Sequence, residues 1–393
     1  MNKRLIELDS LRGLAAFSVM MSHLLMVIPC IYSTIIPDHA PLWLKILKFS
    51  PLHIGWAGLE SVIFFFILSG FVLSLPLYTD KASAPYGLYL IKRILRIYPP
   101  YIGSVFVAML ARELFYCGDV PNVSSWFNGS WRQSVSWSAI RDHVLLIDSF
   151  RHNDFNPVLW SLVQEMRISI IFPAIVGLLL VREKSTAAAA FFLAFFSWAM
   201  WRMKIIGLVT YNHDYYTTLQ YIGLFVAGAL LARYHQSLVA SFSILGKRVK
   251  HILIFVAVLL YTNVFWMPYY CSLGIPLISW IFRQPIVYET ITALGVSIFI
   301  VAAIASQRLS FLLKLKFVRF LGDISYSLYL FHAVCLKVLI ILLWPLLPIW
   351  AILLIVIPVS LGVATLSYYM VEVPSINLGK WLTKRYRETH LAA

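Results

Sequence analysis

The chain has 393 residues, of which 61% are hydrophobic and only 12% are charged, and its mean hydropathy is +0.81. These values exclude an ordinary soluble domain, in which about half of the residues are apolar and about a quarter are charged. The formal net charge of +15 is spread over the loops between apolar segments, so we predict no nucleic-acid partner.

Ten apolar runs are long enough, at about 20 residues each, to cross the roughly 30 Å of hydrocarbon in a bilayer. The predicted fold is therefore all-α: a polytopic membrane bundle with about ten transmembrane helices. In chain order the runs are 9–30, 56–77, 97–116, 158–181, 187–204, 215–234, 251–270, 286–306, 323–343 and 349–371. No small-residue cleavage site follows the first run, which is therefore expected to be a retained helix.

Basic residues orient these spans, because short cytoplasmic loops keep Lys and Arg while exported loops do not. With a cytoplasmic N-terminus, 20 of the 32 basic residues fall inside, 8 outside and 4 within spans. Both termini are thus predicted to be cytoplasmic, with one membrane domain over 1–380 and a short basic tail at 381–393.

The four cysteines show neither metal-ligand spacing nor a CxxC pair, so we predict no metal site. Cys30, Cys117 and Cys271 fall near predicted outer ends of helices, where an oxidising compartment would permit a disulfide. Free buried thiols in membrane helices are the more common case.

The first span, LDSLRGLAAFSVMMSHLL, contains Arg12 and His23. Their spacing of eleven residues is three helical turns plus about 20°, so both lie on one face, with a rise of about 16 Å. An unpaired ionisable group in hydrocarbon costs at least about 2.5 kcal/mol, so this face is expected to line a protein cleft. Alternatively, Arg12 reaches the inner surface or pairs with Asp9, and His23 donates a hydrogen bond between helices.

A second basic cluster lies in YLIKRILRIYPPY, residues 89–101, just before the third predicted span. Arg93 and Arg96 are neighbours on one helix face, with Lys92 beside them, and guanidinium groups suit phosphate oxygens. The Pro99-Pro100 pair is expected to interrupt the regular backbone. The alternative is a juxtamembrane cluster that fixes topology or contacts anionic lipid head groups.

The fourth span, PVLWSLVQEMRISIIFP, carries Glu165 at a predicted depth similar to that of His23. A carboxylate at that depth needs a partner, and the sequence offers His23 or Arg167. A contact with His23 would fix the imidazole tautomer and raise its basicity. A purely structural ion pair is the alternative.

Further polar residues are candidates for lining the same cleft. Ser325, Tyr329 and His332 fall within about 60° of one another on the ninth predicted helix, although His332 alone is more often a packing residue. Ser69 is a candidate in FFFILSGF, where Ser69-Gly70 chiefly predicts a close helix approach. Tyr326 is expected to be an interfacial aromatic residue.

The longest polar interruption, residues 117–157, is predicted to lie outside. Trp126, Trp131 and Trp137 offer flat faces for a sugar, with anchoring at the membrane interface as the more common use of such side chains. The apolar stretch from Ile140 to Phe150 is too short to span a membrane and is expected at the interface.

Together these segments resemble acyltransferase family 3, the integral-membrane acyltransferases of bacterial surface glycans and some secreted small molecules. The pieces that match are LDSLRGLAAFSVMMSH, FFFILSGF, KRILRIYP, LWSLVQEMRISIIFP, ISYSLYLFH and VEVPSINLGK, in family order from residue 8 to about 380. The resemblance implies transfer of an acyl group, usually acetyl from acetyl-CoA, to a hydroxyl of an acceptor at or beyond the outer face.

The resemblance also implies roles for matched residues. His23 corresponds to the family's essential first-helix histidine and Arg12 to its basic partner, while Arg93 and Arg96 correspond to a pair thought to engage the CoA donor. The fourth helix departs from the family pattern WSLxVEEQFY: the chain keeps Glu165 but replaces the following acid and Tyr by Met166 and Ser169. Roles of that second acid therefore do not carry over.

The mechanism expected from these residues begins with Lys92, Arg93 and Arg96 holding the CoA phosphates, while the pantetheine arm carries the thioester past Arg12. His23 then takes the proton of the acceptor hydroxyl, unless it first accepts the acyl group itself. The partners expected are acetyl-CoA, a carbohydrate acceptor and the lipids of a bacterial inner membrane. A non-glycan acceptor, or a secondary transporter that uses the same intramembrane charges, is the alternative.

Overall fold

The computed structural model describes residues 5–33, 40–79, 85–147, 154–203, 215–272 and 274–391. Over these ranges the regular structure is helical and contains no strand, which confirms the all-α prediction. The helices of the first half are α1 Ile6–Met26, α2 Pro29–Tyr32, α3 Leu42–Lys48, α4 Gly58–Thr79, α5 Tyr86–Phe115, α6 Ser125–Gly129, α7 Trp137–Leu145, α8 Leu159–Val181 and α9 Glu183–Met203. Those of the second half are α10 Tyr215–Ile244, α11 Lys247–Tyr261, α12 Asn263–Ser272, α13 Pro276–Phe282, α14 Pro285–Ala305, α15 Gln307–Leu313, α16 Lys316–Leu343, α17 Ile349–Ser367 and α18 Val373–Leu391.

Seven helices in these ranges are long and apolar enough to cross a membrane, and eight if the bent pair α11 and α12 is one broken span. The sequence predicted ten. Runs 9–30 and 187–204 also form helices, α1 and α9, but neither is among the seven. In α1 the polar Asp9, Arg12 and His23 lower the mean hydropathy. Which side of the membrane each end faces stays a prediction.

The run at 251–270 is bent by 77° between α11 and α12. The side-chain amide of Asn263 donates to the carbonyl oxygen of Leu260 at 2.7 Å and to the hydroxyl of Thr292 at 2.8 Å. A helix end inside a protein needs such partners, because its last carbonyl groups have no donor from the helix itself. The side chain of one asparagine thus supplies part of what the broken backbone lacks.

Helix α5 continues through Pro99 and Pro100, so the prediction that this pair interrupts the backbone was wrong. Each proline removes one backbone donor but has a φ that suits a helix, and membrane helices tolerate the loss when neighbours supply donors. The carbonyl groups that lose a donor are those of Leu95 and Arg96, four residues earlier, and the hydroxyl of Tyr326 donates to the next carbonyl, that of Ile97, at 2.7 Å. Because α5 begins at Tyr86, the basic cluster lies within this helix and not ahead of it.

The chain divides into two compact units. Unit 1 comprises Met1–Thr79 and Ala174–Asp323, and unit 2 comprises Asp80–Pro173 and Ile324–Ala393. Helices α8 and α16 each contribute to both.

In unit 1 the N-terminal turns of α1 are fixed by polar contacts. The hydroxyl of Ser10 donates to the carbonyl oxygen of Leu313 at 2.6 Å, and Glu7 accepts from Ser310 and from Lys314, each at 2.7 Å. Burial alone would raise the pKa of the Glu7 carboxyl, but these two donors outweigh it and the pKa is lowered.

Helices α4 and α10 of unit 1 approach so closely that glycine is required. A Cβ at Gly70 would overlap the backbone carbonyl of Phe225, and one at Gly228 would overlap that of Ile67. The close approach predicted from Ser69-Gly70 is therefore confirmed.

Gly70→Ala is expected to destabilise the chain by about 3 kcal/mol, because the obstacle is backbone and cannot rotate away. Thermal unfolding in detergent measures the change. Gly177→Ala in α8 is the control: a Cβ there meets nothing within 4 Å, so alanine should be neutral or raise stability by up to about 1 kcal/mol. Equal melting temperatures for both variants would contradict the close approach.

In unit 2, α17 leads through a π-helical turn, Tyr368–Glu372, directly into α18. Residues 381–391, predicted as a short tail, continue α18 as helix. Helix α18 packs on α5, where the Cα of Gly379 faces Leu95. The π turn is notable because such turns are frequent at functional sites.

Candidate functional site

Unit 1 supplies Arg12 and His23, both on α1. A guanidinium nitrogen of Arg12 lies 3.4 Å from a carboxylate oxygen of Asp9, one turn earlier, and about a quarter of each side chain is exposed. From the sequence we predicted this pairing of Arg12 with Asp9 as the alternative to a role in lining the cleft. His23 lies in the last turn of α1 and is partly buried. Ser69, on α4 beside Gly70, is also partly buried.

The turns of α1 that lead to His23 pack against the start of α4 and the 3-10 helix before it, Pro51–Trp56. The hydroxyl of Ser18 donates to the carbonyl oxygen of Ile54 at 3.4 Å. A Cβ at Gly58 would lie 2.6 Å from the hydroxyl of Ser22. The neighbourhood of His23 is therefore set by a segment for which the sequence predicted no role.

Unit 2 contains the basic cluster, and it brings Arg93 and Glu165 together. A terminal guanidinium nitrogen of Arg93 lies 2.5 Å from a carboxylate oxygen of Glu165, and Arg93 Nε donates to the hydroxyl of Ser169 at 2.9 Å. Ser169 in turn donates to the backbone carbonyl of Glu165 at 2.6 Å. From the sequence we predicted His23 or Arg167 as the partner of Glu165, but not Arg93. The residue that departs from the family pattern, Ser169, is thus the second acceptor of Arg93.

Arg96 is also paired with a carboxylate in unit 2. Its guanidinium lies 3.7 Å from Glu372, whose side chain is 1% exposed against 33% for Arg96. Ser327 donates to the other carboxylate oxygen of Glu372 at 2.9 Å. Sequence reasoning missed Glu372, although an acid in the apolar context of YYMVEVP was a usable signal. Lys92, one residue before Arg93, is exposed.

The polar residues of α16 in unit 2 lie in its interior. Ser325 and Tyr329 are buried, and the Tyr329 hydroxyl lies 2.6 Å from that of Ser161. His332 is fully buried, with Nδ1 2.8 Å from the carbonyl oxygen of Leu328 in its own helix. Tyr326 donates its hydroxyl to the carbonyl oxygen of Ile97 in α5, and its position at the membrane interface stays a prediction.

Three of the four basic residues predicted within spans donate to backbone carbonyls of the segment 117–157. Arg112 donates to Trp131 at 3.1 Å, Arg167 to Ile147 at 2.9 Å, and Lys337 to both Phe127 and Ser130. Buried backbone carbonyls need donors, and these side chains supply them. These charges thus hold a loop in place.

In the same segment, the prediction that Trp131 offers a face to a sugar is wrong. Trp131 is fully buried, and its indole nitrogen donates to the carbonyl oxygen of Phe155 at 2.8 Å. Its ring therefore has no free face for a sugar. Trp126 is partly buried and Trp137 is 86% exposed at the start of α7. All four cysteines of the chain are free thiols, so the disulfide considered near the outer ends is not formed.

Comparison with known proteins places these residues in a family context. A family model described as an acyltransferase domain, of the acyltransferase 3 type, matches residues 5–369. The chain is also 29% identical over 150 residues to "Putative peptidoglycan O-acetyltransferase YrhL" of Bacillus subtilis (strain 168). That match covers 35% of this chain and 23% of the relative. No solved structure matches the chain.

Proposed function

We propose, from the premise that the chain belongs to acyltransferase family 3 and is a multi-pass membrane acyltransferase, that it transfers acetyl from acetyl-CoA to a hydroxyl of a carbohydrate. One observation carries the proposal: the family match over residues 5–369 includes His23 and the Arg93/Arg96 pair. The relative's printed name supports a glycan acceptor and an acetyl group. A bacterial inner membrane is the location that this activity implies.

The donor is held by the basic cluster of unit 2 in this proposal. Arg96 is the better placed of the two arginines to exchange partners, since it is 33% exposed and its carboxylate contact is 3.7 Å long. Arg93 is 12% exposed and bonded to two acceptors, so it gives the cluster a fixed positive charge. Two guanidinium groups one turn apart suit the phosphates of CoA. Glu165 positions Arg93, and Lys92 adds an exposed charge.

The acyl transfer itself is assigned to His23. The acceptor oxygen attacks the thioester carbonyl while the imidazole takes the hydroxyl proton. The C–S bond then breaks, and the CoA thiolate leaves with that proton as the free thiol. Arg12, on the same face of α1 but about 16 Å nearer its start, supplies a positive charge along the path of the donor. The reaction thus forms one C–O bond, breaks one C–S bond and moves one proton, with no change of oxidation state.

The test is an assay on purified protein in liposomes that contain a lipid-linked peptidoglycan precursor, with acetyl-CoA labelled in the acetyl group. Transfer of label to the glycan together with release of free CoA is the expected result. Label on a non-glycan molecule would replace the acceptor class but keep the acyltransferase. Solute uptake without CoA release would support the transporter alternative instead. Mass spectrometry of surface glycans from cells with and without the gene identifies the modified sugar.

A further inference from the structure

A buried histidine and glutamate form a pair in unit 1 that the proposed mechanism does not use. Nε2 of His53, in the 3-10 helix Pro51–Trp56, lies 3.1 Å from a carboxylate oxygen of Glu60 in the first turn of α4. Their side chains are 2% and 0% exposed. Two ionisable groups taken this far from water are costly unless they are paired with each other, so the contact fixes both.

Aromatic rings enclose the pair. The imidazole of His53 meets the rings of Trp56 and Phe265 edge to face, with centroid distances of 4.3 and 4.7 Å. Among the described residues, neither ring nitrogen of His53 and neither carboxylate oxygen of Glu60 makes a hydrogen bond, so the 3.1 Å contact is close but not aligned as a hydrogen bond. Each therefore depends on the other as its polar partner, and loss of one would leave the second buried without compensation.

The pair joins the segment that packs on α1 to the start of α4. The 3-10 helix that carries His53 contacts α1 through Ile54 and Ser18. Two residues before Glu60, Gly58 packs on Ser22, the residue that precedes His23. The start of α4 thus touches the residue next to the proposed base, and the 3-10 helix touches α1 at Ser18, five residues before that base.

We propose that His53 and Glu60 are a positioning pair for acyl transfer: their contact holds the 3-10 helix and the start of α4 against α1 and so orients His23. The proposal rests on the function proposed above. A displacement of about 1 Å at a reacting group can lower a rate by up to about a hundredfold. The pair acts through His23 and does not itself touch substrate.

The test compares Glu60→Ala with Glu60→Gln. Alanine breaks the contact and is expected to lower kcat at least tenfold per folded molecule, with KM for acetyl-CoA unchanged. Glutamine keeps the size of the side chain and an oxygen that can face Nε2 of His53, so its kcat should stay within about threefold of the wild type. A glutamine variant as inactive as the alanine variant would overturn positioning, because it would show that the negative charge itself is required.

Glu289→Ala is the matched control. Glu289 is also a buried carboxylate of unit 1, 4% exposed and bonded to Gln220 at 2.8 Å, and the reaction proposed assigns it no part. Its loss should reduce stability but leave kcat per folded molecule unchanged. An equal fall in kcat for Glu289→Ala would attribute the effect of Glu60→Ala to general loosening of the unit, and would overturn the proposal.

If Glu60→Ala does not fold, Gly58→Ala tests the same coupling with the pair intact. The new Cβ would lie 2.8 Å from Cβ of Ser22, and so would push the start of α4 away from α1. It should lower kcat in the same direction; unchanged kcat would overturn the proposal.

Hydrogen exchange separates this proposal from the proposed function. We expect faster exchange in Glu60→Ala at residues 52–56 and 18–23, and in Gly58→Ala at residues 18–23. This expectation holds whether or not the chain acylates a glycan. Unchanged exchange refutes the positioning pair. If the wild-type protein transfers no acyl group but the variants show the faster exchange, the proposed function alone is refuted.

Discussion

His23→Ala is expected to lower the rate of acyl transfer at least about a hundredfold, because general base catalysis by a placed histidine contributes about 10²- to 10⁴-fold. Folding should be little affected. His23 is only partly buried, in the last turn of α1, and alanine is the best helix former. The measurements are acetyl transfer to the glycan at saturating acetyl-CoA, and the melting temperature of the purified protein.

His235→Ala is the control for this experiment. His235 is also a partly buried histidine of unit 1, and its Nδ1 lies 2.6 Å from the carbonyl oxygen of Ala232 in its own helix. Its variant should keep full activity. A well-folded His23→Ala protein with wild-type turnover would remove His23 from the chemistry, and His23→Gln would show whether a neutral group that bonds but does not take a proton is enough.

The all-α class and most helix positions could be predicted because each depends on a local property of the sequence. An apolar run of about 20 residues has few alternatives to a helix in a membrane. The errors arose where partners from elsewhere decide. Helix α5 continues through Pro99-Pro100, with a hydroxyl from Tyr326 nearby, and the run at 251–270 breaks where Asn263 can satisfy a helix end.

The candidate site was predicted only in part, for a related reason. The sequence identified Arg93 and Glu165 separately, since each is a charge in an apolar context, but not that they pair across 72 positions. The sequence also does not show that Arg112, Arg167 and Lys337 donate hydrogen bonds to backbone carbonyls of the segment 117–157. An intramembrane charge signals that a partner exists; only the packing says which partner.

The contacts divide the intramembrane charges into two groups. One group, exemplified by Lys337, donates to backbone carbonyls and has a sufficient structural role. The other group consists of Arg93 and Arg96, which lie one helix turn apart on α5 and pair with the carboxylates of Glu165 and Glu372. Carboxylates can be exchanged for phosphates of similar geometry, whereas backbone carbonyls of a folded loop cannot be replaced in this way. The second group is therefore the better candidate for contact with an anionic donor.

Arg96→Ala and Arg93→Ala are expected to have different effects. Arg96→Ala should raise KM for acetyl-CoA about tenfold, equivalent to about 1.4 kcal/mol, with a smaller loss of stability than Arg93→Ala, because the contact of Arg96 with Glu372 is 3.7 Å long and Glu372 keeps its bond from Ser327. Arg93→Ala should raise KM as well and also lower stability by about 1–3 kcal/mol, because Glu165 and Ser169 both lose a charged donor. Donor titration of the transfer rate and thermal unfolding measure the two effects.

Arg233→Ala is the matched control for both variants. Arg233 is 32% exposed, close to the 33% of Arg96, and it pairs with Glu183 at 2.9 Å in unit 1, so its loss should leave KM for acetyl-CoA unchanged. A similar rise in KM for all three variants would indicate a general effect of net charge. An unchanged KM in the double variant Arg93→Ala with Arg96→Ala would assign the donor phosphates to other residues, because no charge of this cluster except Lys92 would remain to bind them.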